Sequence, residues 1–219
     1  MSEVVITVRG EQERRVAPER AVVQLSVRAD GPERGPVVER VNAAAAPIRD
    51  GLDAHQRSGE VAEWSSGRVS VWSERPWNNE GRQLPPVHHA SVDISASFAD
   101  FTALSWWLGE TADADEVQVA SISWQLTPGT RAIVERDVAS DAVRVAVTRA
   151  EAYADAIGLG TVAPIEIADV GLLAGQTEAA ASAPRMMRMA ASDAAGPALA
   201  LQPADIVVGA AVEARFRAS

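Results

Sequence analysis

A chain of 219 residues with 47% hydrophobic content can bury a sizeable core, and its net charge of -10 sets its average surface against a duplex phosphate backbone or an anionic membrane. All 20 basic residues are arginine, which removes Schiff-base and P-loop lysine chemistry; the absence of cysteine removes disulfides, thiolate zinc sites and thiol nucleophiles. One globular domain over 1–219 is expected, with no nucleic-acid partner.

Val4, Ile6 and Val8 alternate with Val5, Thr7 and Arg9 as in a strand, with no basic stretch leading into an apolar run. The chain as given therefore reads as cytoplasmic. No apolar run approaches the roughly 20 residues that cross a bilayer, so no membrane span is expected. Gly10 to Pro18 is polar and turn-rich, and Ala21, Val23, Leu25 and Val27 then oppose Val22, Gln24, Ser26 and Arg28. This pattern predicts a hairpin between the first two strands. After Asp30-Gly31-Pro32, apolar residues at Val37, Val41, Ala44 or Ala45, Ile48 and Leu52 follow one helical face. Pro47 removes an amide donor and predicts a kink there, and Gly51 weakens the same turn.

A second hairpin is expected from about Val61 to Trp72 and from Val87 to Phe98, joined by the Pro- and Asn-rich stretch Ser73 to Pro86 as a mobile loop. Asp100 is placed to cap a short helix with an inner stripe of Phe101, Leu104 and Leu108. A strand near Val117 to Leu126 puts Ala120, Ile122, Trp124 and Leu126 together. The third helix, about Arg131 to Ile157, carries Val134, Val138, Ala142, Val145, Ala146, Ala150, Tyr153 and Ile157 as its apolar stripe. Gly158 is its natural stop, Pro164 to Val170 reads as a strand, and the last strand runs from Ala204 to Phe216. Between these two strands, 174–203 is Ala/Met/Pro-rich and expected to be a flexible insertion. The order ββαββαβαββ predicts an α+β fold, a mostly antiparallel sheet with amphipathic helices packed on one face.

Four pieces in order resemble the SIMPL-domain family. They are Val16-Ala17-Pro18 leading to Ala21 through Val27, the Ala/Arg-rich helix Val138 to Gly158, the tract Pro184 to Ala190, and the closing strand Val207 to Phe216. The resemblance covers nearly the whole chain. It implies an α+β domain, often oligomeric, with ring-like assemblies among periplasmic relatives and no established catalytic residues. The chain departs from the usual pattern in lacking a signal peptide, and in having Trp72, Trp77 and His88-His89 where many relatives are tyrosine-rich.

Candidate chemistry is sparse. His88 and His89 are adjacent, so on a strand they face opposite ways and cannot readily share a metal ion, and only His55 remains as a third histidine. Gly158-Leu159-Gly160 follows a helix, the reverse of a dinucleotide loop. No Gly-x-Ser-x-Gly elbow accompanies the serines, and Asp113, Asp115 and Glu116 lack the rest of a calcium loop. No catalytic, metal or cofactor residues are assigned. All six tryptophans fall between residues 64 and 124. Trp106 lies nearly opposite its helix's apolar stripe, and Trp77 sits in the loop, so both are expected at the surface. Trp72, Trp77 and Trp106 together with Arg185, Met186, Met187, Arg188 and Met189 are the candidate interface or ligand residues.

Two functions follow. The first is a non-catalytic, self-associating binding or scaffold domain, a homo-oligomer or protein-partner binder, with a stress-related role implied by the resemblance alone. The second is a small-molecule binder or enzyme whose tryptophans and Arg68, Arg75 and Arg82 clamp an anionic aromatic compound.

Overall fold

In the computed structural model, which describes residues 4–173 and 201–219, eleven elements follow in order. They are β1 (Val4–Val16), β2 (Arg20–Gly31), α1 (Arg34–Ser58), β3 (Val61–Ser66), β4 (Ser70–Glu74), β5 (Val87–Phe98), α2 (Phe101–Ala112), β6 (Val117–Gln125), α3 (Pro128–Ala156), β7 (Val162–Asp169) and β8 (Ile206–Ala218). The protein is α+β, with antiparallel strand pairing throughout the described residues. The expected order is met except that the strand near 61–72 is two strands, β3 and β4, lying one after the other along the same edge of β5. The chain divides into two compact units, one with 4–17, 126–173 and 205–219 of the described residues, the other with Pro18–Gln125 and 201–204. The expected insertion, with Arg185 to Met189, lies outside the described residues except for 201–203, which carry no regular structure.

The Pro18–Gln125 unit is a sheet in the order β3-β5-β2-β6, with β4 beside β5. Alternation buries Ala21, Val23, Leu25, Val27 and Ala29 of β2 and Ala90, Val92, Ile94, Ala96 and Phe98 of β5 on one face. Against it pack Val37, Val41, Ala45, Ile48 and Leu52 of α1 and Leu104, Trp107 and Leu108 of α2. The other face is polar, with Gln24, Arg28, Asp93 and Ser95 about a shallow depression where Arg28 Nε donates to Ser26 Oγ at 3.0 Å. Helix α1 runs unbroken through Pro47 for 25 residues because Ala45, Ile48 and Leu52 hold both sides of that turn in the core. It ends at Gly59, whose φ of 85° is the left-handed conformation glycine adopts without a Cβ penalty. Asp100 Oδ1 caps α2, accepting from Thr102 N and Ala103 N. In β6 the pairing slips so that Ser121 faces Gln24 and Val119 faces Leu25. Ala120 is the extra residue of a bulge. It is exposed and does not share a face with Ile122 and Trp124 as alternation had predicted.

The other unit is the three-stranded sheet β1-β8-β7, covered by α3. The predicted β1–β2 hairpin is not formed. Every residue of β1, from Val4 opposite Ala218 to Val16 opposite Ile206, pairs with β8, while the two edges of β2 are taken by β5 and β6. Gly10 to Val16 is strand and not turn. Gly10 is there for clearance, since a Cβ would meet the Ala142 carbonyl oxygen and lie 2.7 Å from Ala146 N.

Thr127 accepts from Thr130 N, and Pro128 stands in the first turn of α3, where its missing N–H costs nothing. The buried line is Val134, Val138, Ala142, Ala146, Ala150 and Ala154. Steps of four advance about 40° around a helix of 3.6 residues per turn. The line therefore winds with the twisted sheet and leaves Tyr153 exposed, about 100° from Ala154. Ile157, expected in the stripe, stands exposed at the C-cap, just before the positive-φ Gly158. No helix among the described residues is long and apolar enough to cross a membrane.

Candidate functional site

A concavity of the Pro18–Gln125 unit lies between α1 and α2. Ala44, Pro47, Ile48, Gly51 and His55 recur at three- and four-residue steps along one flank of α1, and Trp107, Glu110, Thr111 and Ala114 do the same along α2 and its end. Glu116 and Val117 complete a groove of about 370 Å³. Its floor is apolar, Ile48 and Trp107 being buried, while Glu110 is exposed on the rim. Arg40 approaches Glu116 at 3.5 Å, a long and partly solvated ion pair.

His55 enters from the last turn of α1. Its ring is 6.1 Å from that of Phe98, which is in turn 5.2 Å from Trp107. Its Nδ1 lies 2.7 Å from Glu60 Oε2, and the Ser58 hydroxyl is 2.7 Å from the same oxygen. These contacts, His55 first and Ser58 second, hold the Glu60 carboxyl below the usual glutamate range. Serine, histidine and glutamate stand together here, but in the wrong order for acyl transfer: Ser58 bonds the carboxylate and not the imidazole, so no base takes its proton. The set ties the end of α1 to the entry of β3.

Because the Glu60 pKa is lowered on folding, its stabilisation is complete above the unfolded glutamate value of about 4.3. It is lost as pH falls through the lower folded value. Glu60→Gln is expected to flatten the acid limb of the stability curve, read as urea midpoints from about pH 3 to 7. An acid limb as steep as the parent's would contradict this.

The tryptophans separate into two groups. Trp64, Trp107 and Trp124 pack in or against the core, with Trp64 Nε1 donating to Asp53 Oδ1 at 3.1 Å and Trp124 meeting Phe101 edge-on. Trp72, Trp77 and Trp106 are 47%, 67% and 62% exposed. Trp72 stacks on His89, its β4–β5 partner, at 5.2 Å and 15°. Trp77 bridges to Gln83 inside a loop that closes on itself, Asn78 Oδ1 accepting from Glu80 N and Arg82 N. Trp106 is on α2, and no ring contact joins it to Trp72 or Trp77.

His88 bonds Ser73 Oγ at 2.7 Å while His89 lies under Trp72, so alternation puts the two rings on opposite faces. Among the described residues no three histidine, aspartate or glutamate side chains converge as a metal site. The groove and the His55–Glu60–Ser58 set went unread in the sequence. The signal available was the flank 44, 47, 48, 51 and 55, rich in small residues, but its partner helix is more than fifty residues away.

No curated protein matches the chain. A family model described as SIMPL, a protein of unknown function (DUF541), matches residues 6–216, which spans both units. The chain belongs to the SIMPL family.

Proposed function

We propose that the chain is a non-catalytic, self-associating binding domain. The observation that carries this reading is the exposure of Trp72, Trp77 and Trp106, large indoles of the kind that anchor protein interfaces. Beside Trp77, Arg75 and Arg82 enter no ion pair among the described residues, so this loop offers positive charge on a chain of net charge -10. That complementarity favours a second copy as the partner. In the other unit the edge strand β7 adds exposed Ile165 and Ile167. The second reading, an anionic aromatic ligand held by these tryptophans and Arg68, Arg75 and Arg82, has no arginine–ring contact to support it among the described residues.

Sedimentation velocity over a range of concentrations tests the proposal. Species heavier than 23.1 kDa are expected to grow with concentration. Trp77→Ser combined with Trp106→Ser is expected to weaken association roughly 30-fold, as for an interface anchor. A strict monomer at high micromolar concentration would refute self-association.

A further inference from the structure

We infer that the groove between α1 and α2 binds a small primary amine with an aromatic body and an acceptor oxygen, a ligand none of whose chemistry is used by the self-association reading. Trp107 is the central side chain of this groove. The residue is only 4% exposed, yet its indole N–H donates to no acceptor among the described residues, and the N–H itself is not enclosed. The N–H borders the groove beside Gly51, where even a built Cβ would stand 3.9 Å from Nε1. Glycine at that position keeps the approach to the N–H open. A ligand oxygen seated there takes the place of water as its acceptor.

The rest of the lining sets the ligand's other features. Ile48 and Pro47 give an apolar wall matched to a flat ring, and the volume of about 370 Å³ is at the small end of ligand pockets. Charge at the groove is acidic at Glu110, whereas Glu116 is met by Arg40 at 3.5 Å. Glu60 occupies Nδ1 of His55, which leaves Nε2 as the imidazole nitrogen available to the groove. The Glu110 carboxylate at the rim calls for a cationic donor, and an ammonium meets it. An anionic ligand of the same shape is repelled.

The probe is phenylalaninamide, titrated into the full chain and followed by the indole N–H resonances, with Trp107→Phe assigning the relevant one. Saturable binding at or below about 1 mM is expected, moving the Trp107 resonance. 3-Phenylpropionamide, which lacks the amine, and phenethylamine, which lacks the carbonyl, are each expected to bind about tenfold more weakly. Glu110→Gln should weaken phenylalaninamide by about tenfold, whereas Glu135→Gln on α3, an equal change in net charge, should leave it unchanged. Gly51→Leu fills the groove and should abolish the shift; the surface change Glu110→Gln keeps the test decisive if Gly51→Leu does not fold. The inference is overturned by equal binding of the amine-free amide, by a Trp107 resonance that stays still, or by Glu135→Gln weakening binding as much as Glu110→Gln. Loss of self-association with the groove intact would overturn only the functional reading above.

Discussion

Gly10→Ala is expected to be among the most damaging single substitutions in the chain, although it adds one methyl group to a strand. The added carbon would collide with the Ala142 carbonyl oxygen and lie 2.7 Å from Ala146 N and 2.9 Å from Ala146 Cβ. Two of these atoms are helix backbone, so no side-chain rotation relieves the contact. Either β1 or α3 must move, and both are tied along their length: β1 to β8 over thirteen pairs, α3 by its buried alanines. Overpacking that the structure cannot relax costs about 3 kcal/mol. All six tryptophans lie in the Pro18–Gln125 unit, so tryptophan emission reports on that unit, whereas circular dichroism also reads α3. The helical signal of Gly10→Ala is expected to melt at lower urea than the parent's, ahead of the tryptophan transition. An unchanged dichroism midpoint would show that the clearance is not needed.

Phe98→Ala should produce the opposite pattern. Phe98 is fully buried at the end of β5, beside Ala21 and Val61 in the sheet, with its ring 5.2 Å from Trp107 and 6.1 Å from His55. Truncation removes the transfer free energy of a phenyl ring and leaves a cavity under the groove, costing about 3–5 kcal/mol. Tryptophan emission should then report an earlier urea transition, and Trp107, having lost its neighbour, should emit at longer wavelength in the native state. A loss under about 1 kcal/mol would mean that α2 collapses onto the vacated space.

The two substitutions also show where local reading works. Phe98 is legible from alternation, since Ala90, Val92, Ile94, Ala96 and Phe98 share one face whatever they pair with. Gly10 is not legible in that way. Between polar neighbours a glycine suggests a turn, and only the helix packed over it shows that its value is the missing Cβ. Tyr153 and Ile157 were misplaced for a related reason: the apolar face of α3 is defined by a twisted surface, and a projection of the isolated helix does not contain that surface. The exposure of Trp106 was legible because its own helix carries the opposing stripe of Leu104 and Leu108.

By itself the sequence determined what depends on neighbours a few residues apart. It placed the three helices and most of the strands, the Asp100 cap, the stop at Gly158, the outward Trp106, and a chain without thiol or lysine chemistry. Only tertiary structure decided that β1 belongs to β8, some two hundred residues away, and not to β2. It alone divided the chain into two units and set Trp107 across from Gly51 to open the groove. Strand pairing and helix packing are contacts between distant segments, and each strand here carries an alternation that would serve several partners. The choice among them rests on which pairing buries every apolar face at once and leaves backbone donors and acceptors matched, a condition on the whole chain.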